Sequence, residues 1–176
     1  MNNTNDYFDY QIFHLTQHFF DDYPSPPYDE IIRKSRRPYN CLLVQSHYGY
    51  FICISYRSHI NHKHAYKFKN SERSKRTKSG LDYSKIVIVI NSAYISSVNT
   101  IVDKDEFAET RDNIEYIKKD AQRYIDDYVA YIQGQEIEYD EKEFNRTYQY
   151  STLKYFHKEL GIEKLKNKRE KRKILH

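Results

Sequence analysis

Residues able to move protons and to hold phosphate are concentrated in one eight-residue segment, 57–64 (RSHINHKH). Histidine titrates near neutral pH and can act as a general acid or base. Arginine and lysine can stabilise the negative charge that develops on a phosphodiester under attack, and a serine hydroxyl can position a phosphate oxygen. The segment therefore predicts metal-independent chemistry on a phosphodiester. The candidate catalytic residues are Arg57, Ser58, His59 and His62.

Two other interpretations of this segment stay open. The imidazoles of His59, His62 and His64 are possible zinc ligands, but no Asp, Glu or Cys lies among them to complete a coordination shell. The segment is also compatible with a solvated basic loop whose histidines have no function.

The two cysteines of the chain, Cys41 and Cys53, lie inside apolar runs and are expected to be buried, reduced thiols. We expect no metal and no cofactor.

Basic residues continue beyond this segment as far as Lys85. Residues 57–85 contain nine Lys or Arg and two acidic residues, which gives a local net charge of +7. Basic and aromatic residues alternate over 66–69 (YKFK), so a strand there would place both lysines on one face. Residues 70–79 are rich in basic residues and serine, and they predict a flexible loop that binds phosphates. The predicted RNA-binding residues are Lys63, Lys67, Lys69, Arg73, Lys75, Arg76, Lys78, Ser79 and Lys85.

The distribution of charge points to a polyanionic partner. The whole chain has a net charge of +4, but residues 103–143 contain fourteen acids and six bases, and residues 163–173 contain seven bases and two acids. Basic blocks of this kind are typical of nucleic-acid binding. We expect no DNA partner, because no helix-turn-helix spacing occurs and the basic block lies on loop and strand. The absence of a long apolar run and the polar start of the chain predict a cytoplasmic protein without membrane contact.

The elements that would position these residues form an α+β pattern. Strands are predicted over 10–14, 41–44, 50–56 and 86–90, with a turn at 46–49 and a short strand at 94–98. Helices are predicted from Thr16 to Asp22, over 112–133 as one long amphipathic helix, over 140–145 and from Ser151 to Gly161. Asp103 and Glu106 resemble a capping box. We expect an antiparallel sheet flanked by helices, in one domain over 1–162, followed by a basic tail over 163–176.

The chain resembles the toxins of type III toxin–antitoxin systems, the ToxN, CptN and TenpN group of endoribonucleases. The resemblance extends over about residues 10–162 and depends on the order and spacing of several short pieces. The pieces at 57–58 and 79–85 are most similar to the CptN and TenpN branches. The pieces that carry the resemblance are residues 20–24 (FDDYP), 57–60 (RSHI), 79–85 (SGLDYSK) and 150–153 (YSTL).

This resemblance implies a twisted antiparallel sheet, partly closed like a barrel and flanked by helices. It implies sequence-selective, metal-independent cleavage of cellular RNA to 2′,3′-cyclic phosphate and 5′-hydroxyl ends. It also implies a partner, a small RNA antitoxin of pseudoknot repeats that closes with the toxin into a cyclic protein–RNA assembly and masks the active site. The roles that it implies are plasmid maintenance and abortive infection. The alternative function is a non-catalytic RNA-binding protein.

The sequence departs from the family at two positions of the active-site motif. ToxN-like toxins have a Thr-Ser-x-Lys motif, whereas this chain has Arg57 and Ser58 in the first two places and Ile60 in the place of the lysine. The role of the serine therefore transfers to Ser58, but proton transfer must pass to another residue. The candidates are His59, His62 and Lys63, and we favour His62 because its titration range suits the task.

Overall fold

The sheet of this protein consists of five antiparallel strands in the order β1-β2-β3-β5-β4. The computed structural model describes residues 10–34, 40–96, 98, 100–135 and 137–162. The predicted α+β fold with an antiparallel sheet is confirmed, and the sheet is open, with β1 and β4 as its two edges. The strands are β1 (Tyr10–Phe13), β2 (Cys41–Gln45), β3 (Phe51–Arg57), β4 (Ala65–Lys67) and β5 (Gly80–Val89).

Helices flank this sheet and supply most of the rest of the core. The helix α4 packs against β5, where the rings of Tyr83 and Tyr124 lie 6.4 Å apart. A short 3-10 helix near the end of the chain also contacts β5, through a hydrogen bond from the hydroxyl of Thr152 to the carbonyl of Ile86. The helices are α1 (Gln17–Asp22), α2 (Glu72–Thr77), α3 (Lys104–Asp112), α4 (Ile114–Ile132) and α5 (Glu141–Tyr148), with 3-10 helices at Ser92–Tyr94 and Thr152–Tyr155.

Two of the predicted elements, the loop over 70–79 and the long helix over 112–133, differ from the structure. Residues 70–79 are not a flexible loop, because they contain α2. The hydroxyl of Ser71 accepts a hydrogen bond from the backbone N–H of Ser74, and this cap begins the helix. The predicted long helix over 112–133 is preceded by a separate helix, α3, and the two meet at Asn113. There the side-chain amide of Asn113 donates to the carbonyl of Glu109, which ends α3.

The other differences lie at the ends of predicted elements. Of the region 94–98, the described residues 94–96 and 98 contain an isolated bridge, between Leu15 and Ile95, and no strand. The helix predicted from Ser151 to Gly161 is only the 3-10 helix Thr152–Tyr155, followed by turns. Both cysteines are buried free thiols, as predicted. The basic tail over 163–176 lies outside the described residues. Among the helices that are described, none is both long enough and apolar enough to cross a membrane.

Gly80 lets the edge strand β4 approach β5 closely, and its replacement is expected to disturb this edge. A Cβ atom at position 80 would overlap the backbone carbonyl oxygen of Tyr66, which cannot move without shifting β4. We expect Gly80→Ala to destabilise the protein by about 2 kcal/mol in urea unfolding. Gly49→Ala is the control, since a Cβ there meets no atom and only the positive φ of 82° opposes it. Equal stability of Gly80→Ala and the parent protein would contradict this packing.

Candidate active site

Asp82 is a buried carboxylate that holds two of the predicted catalytic side chains. It lies on β5, opposite Ser55 of β3 and Ala65 of β4. A guanidinium N–H of Arg57 donates to Oδ2 of Asp82 at 2.6 Å. The Nε2 atom of His62 lies 3.3 Å from Oδ1 of the same carboxylate. Because β5 runs between β3 and β4, the end of β3 and the loop before β4 meet at Asp82.

The environment of Asp82 keeps this carboxylate ionised. Burial alone raises the pKa of Asp82, but the contact with His62, hydrogen bonds from Ser84 and Arg57 and the charge of His62 together lower it to about 2. Ser84 contributes both its hydroxyl, at 2.6 Å, and its backbone N–H, at 3.0 Å. Asp82 is therefore an anion under all ordinary conditions. It fixes Arg57, whose side chain is still 36% exposed and has N–H groups to offer a ligand.

A second buried carboxylate, on Glu106 of α3, organises α2 and reaches Ser58. Glu106 accepts hydrogen bonds from the hydroxyls of Ser71 and Ser79. It also pairs with Arg73 of α2, with 2.7 Å between Nη1 and Oε2. The other terminal nitrogen of Arg73 donates to the hydroxyl of Ser58 at 2.9 Å. Ser58 is thus positioned by a charged side chain that is itself fixed by a buried anion.

The segment that follows β3 is anchored against the end of α2. The backbone N–H of His59 donates to the carbonyl of Thr77 at 2.6 Å, and that of Ile60 donates to the carbonyl of Lys78 at 3.2 Å. His59 adopts a left-handed backbone conformation with φ 59°. Ile60 is fully buried, whereas the side chain of His59 is exposed. Ile60 is therefore a core residue.

The two candidate proton-transfer histidines occupy different environments. The side chain of His62 is 35% exposed, but both of its ring nitrogens are shielded from solvent and lack a well-formed hydrogen bond among the described residues. A proton transfer by His62 would therefore require its ring to turn away from Asp82. The exposed side chain of His59 needs no such movement. This placement favours His59, rather than His62, as the residue that meets a substrate from solution.

Most of the predicted RNA-binding residues lie at the surface. Arg73 joins the site directly, as described above. Lys75 is exposed and pairs with Glu72 one turn earlier in α2. The side chains of five other predicted residues are exposed on α2, on β4 or in the loops beside them. These residues are Lys63, Lys67, Lys69, Arg76 and Lys78.

Two of the predicted RNA-binding residues have structural contacts instead. Ser79 is buried and donates its hydroxyl to Glu106. Lys85 is only 11% exposed, pairs with Glu30 at 2.6 Å and donates to the carbonyl of Tyr150 at 2.8 Å. The structure therefore does not bring Lys85 into the site around Asp82. These contacts are those of an ordinary strand residue that stabilises the fold.

The buried carboxylates that organise the site are not among the site residues predicted from the sequence. Asp82 is an acidic residue inside a buried strand, and that pattern is itself a signal, because an isolated buried charge needs partners. Glu106 and Glu109 are three residues apart and so lie on one face of α3. Glu109 accepts hydrogen bonds from the backbone N–H groups of Lys69 and Asn70, both at 3.1 Å. It thereby fixes the chain between β4 and α2.

Comparison of the chain with protein-family models, with curated proteins and with solved structures gave no match. Among the described residues, no three His, Cys, Asp or Glu side chains converge as a possible metal-binding set.

Proposed function

We propose that the protein is a metal-independent endoribonuclease, the toxin of a type III toxin–antitoxin system. The observation that carries this proposal is that two consecutive residues at the end of β3 are each held through a buried anion: Arg57 pairs with Asp82, and Ser58 accepts a hydrogen bond from Arg73, which pairs with Glu106. Two guanidinium groups and a hydroxyl suit the non-bridging oxygens of a phosphodiester. Because their positions are fixed before the substrate arrives, little reorganisation is needed in the transition state.

The proposed reaction is an internal transphosphorylation of RNA. A ribose 2′-oxygen attacks the adjacent phosphorus and forms a new P–O bond, while His59 accepts the proton of the 2′-hydroxyl. The bond between phosphorus and the 5′-oxygen of the next nucleotide breaks, and that oxygen takes up a proton from water. Arg57 and Arg73 balance the charge on the phosphorus oxygens, and Ser58 holds one of those oxygens in place. The products are a 2′,3′-cyclic phosphate and a 5′-hydroxyl.

The exposed basic residues beside the site support the proposed partners. Lys67, Lys69, Arg76 and Lys78 offer positive charge to the phosphates that flank the cleaved bond, in cellular RNA as in the antitoxin. A folded RNA that occupied the same surface would block access to Ser58 and His59 without any conformational switch. The pseudoknot antitoxin and the cyclic assembly that the resemblance implies are part of the proposal on this basis.

The test is a cleavage assay on labelled RNA that carries repeats from the locus upstream of the coding sequence, performed in EDTA. We expect discrete cuts with cyclic phosphate ends in the parent protein. His59→Ala is expected to reduce the cleavage rate by about 10²- to 10⁴-fold, the range typical of a general base, while RNA affinity changes little. His47→Ala is the matched control, an exposed histidine in the turn between β2 and β3.

The outcomes of this assay separate the proposal from its alternative. Tight RNA binding without cleavage, by a protein that circular dichroism shows to be folded, would identify a non-catalytic RNA-binding protein. Cleavage that disappears in EDTA would exclude the metal-independent mechanism. If His62→Ala abolishes cleavage and His59→Ala does not, then His62 accepts the proton and its ring must leave Asp82 during the reaction.

A further inference from the structure

The structure contains a cavity of about 220 Å³ close to the candidate active site. It is bounded by the loop before β4, by β5 and by α4. Its walls include the rings of His64, Tyr83 and Tyr124, with His64 and Tyr124 5.7 Å apart. Tyr83 lines the cavity, and its neighbour on β5, Asp82, belongs to the candidate active site. His62, which contacts Asp82, stacks on His64 of the cavity wall with 6.2 Å between the ring centroids, so the cavity adjoins the candidate site.

Two tyrosine hydroxyls at this cavity are buried without a well-formed hydrogen bond among the described residues. They belong to Tyr83 and Tyr124, whose exposed fractions are 2% and 6%. Asp120 lies near the hydroxyl of Tyr83, and Ser151 lies near that of Tyr124, but neither pair forms a well-aligned hydrogen bond. Buried hydroxyls of this kind in native proteins usually serve a bound molecule or water. The proposed occupant is therefore polar and makes contact with aromatic rings.

Both acidic and basic side chains line this cavity. Asp120 and Asp127 are seven residues apart on α4, so both lie on the face that lines the cavity. Lys63 and Arg123 line it as well, and Arg123 pairs with Asp120. His64 is neutral at pH 7, since burial and then the charges of Lys63 and His62 lower its pKa to about 4. The cavity therefore offers two carboxylates, two cations and a neutral imidazole.

We propose that this cavity binds a guanine base of the RNA and so contributes to the sequence selectivity of cleavage; this inference rests on the proposed function. Guanine is the standard base with two adjacent donors, N1–H and N2–H₂, on its Watson–Crick edge, and a carboxylate can accept both. Its O6 and N7 atoms accept from lysine or arginine. Unstacked bases bind proteins through aromatic rings and through their hydrogen-bonding edges.

The size of the cavity agrees with a single base. Pockets for drug-sized ligands are commonly of roughly 300–1,000 Å³, so the present cavity suits a smaller, flat molecule. Adenine and cytosine present an acceptor beside the amino group on the Watson–Crick edge, and uracil presents one N–H between two carbonyls. Each of these would direct an acceptor towards Asp120 or Asp127. The carboxylates would therefore disfavour them relative to guanine.

The experiment maps cleavage of a random RNA pool by the full chain and then measures rates on matched substrates. We expect a guanine at a constant distance from the cut, and a rate about tenfold lower when inosine, which lacks the 2-amino group, replaces it. In Asp120→Asn or Asp127→Asn the difference between guanine and inosine should disappear. Asp126→Asn is the matched control, because Asp126 is exposed on the same helix and does not line the cavity.

The result also distinguishes failure of this inference from failure of the proposed function. Cleavage without a guanine requirement, or a requirement that both cavity variants retain, would overturn the guanine site and leave the nuclease intact. If no RNA is cleaved, the proposed function fails, and the site is tested by the affinity of guanosine monophosphate and of the same RNAs. Binding that prefers guanine and loses this preference in Asp127→Asn would support the site. Equal binding of all four nucleotides would overturn it.

Discussion

Asp82→Asn is expected to remove most RNA cleavage and to lower the free energy of unfolding by about 3 kcal/mol at pH 7. Removal of one partner from a buried ion pair typically costs about 3–5 kcal/mol. The cost should fall at the lower end of that range, because the side chains of Arg57 and His62 are each about one-third exposed and can regain contact with water. Cleavage should fall because Arg57 loses the anion that aims its guanidinium at the phosphate.

The pH dependence of stability gives this prediction a second readout. The pKa of Asp82 is about 2 in the folded protein, against an ordinary value of 3.8, because the contacts of His62, Ser84 and Arg57 outweigh the effect of burial. The charged form therefore stabilises the fold fully above pH 3.8, and this contribution is lost as the pH falls from 3.8 towards 2. Over that window the parent should lose about 2 kcal/mol relative to Asp82→Asn.

Urea unfolding between pH 7 and pH 2 measures this difference. Asp126→Asn serves as the control, since Asp126 is an exposed carboxylate outside the site and its variant should follow the parent curve. Parallel curves for Asp82→Asn and the parent would show that Asp82 does not titrate as the structure requires. Full cleavage by a folded Asp82→Asn protein would instead remove Arg57 from the proposed mechanism.

The sequence predicted the sheet well because its strands have a strong local signal. Runs of β-branched and apolar residues at 41–44 and 86–90 identify β2 and the second half of β5 without any tertiary information. The helix α2 was missed because its residues, ERSKRT, have little apolar character. Its stability comes from the cap at Ser71 and from Glu106, which is 35 residues away. The periodicity of residues along a short segment gives no information about contacts between residues so far apart in the sequence.

The same limit applies to the candidate site. The types of Arg57, Ser58 and His59 indicated chemistry on phosphate. In the structure, Arg57 ends β3, and Ser58 and His59 begin the segment that follows it. The geometry that distinguishes His59 from His62 depends on Asp82, which joins the site through the register of β3 and β5. Lys85 was grouped with the site because it is near in sequence, but its partner Glu30 lies 55 residues away. Residue type thus led to the proposed chemistry, and tertiary contacts indicate which role each residue would have in it.

Glu106→Gln is expected to uncouple α2 from the candidate site. Glu106 is fully buried, and its charge is balanced by Arg73 and by hydrogen bonds from Ser71 and Ser79. A glutamine retains the shape but leaves Arg73 without an anion and places an amide N–H₂ against donor hydroxyls. We expect the free energy of unfolding to fall by about 3 kcal/mol, because this is a broken buried network rather than a surface pair.

Hydrogen exchange and cleavage kinetics together separate a local effect of Glu106→Gln from general destabilisation. The amide of Lys78, which donates to Ser74, should exchange faster in the variant, while amides of β3 and β5 should change only with the global free energy. Cleavage should fall by about tenfold or more at a temperature where the variant is fully folded, because Ser58 loses its positioned Arg73. Glu115→Gln, on the exposed side of α4, should change neither quantity. Slower cleavage with unchanged exchange in α2 would mean that Glu106 acts on the site without passing through this helix.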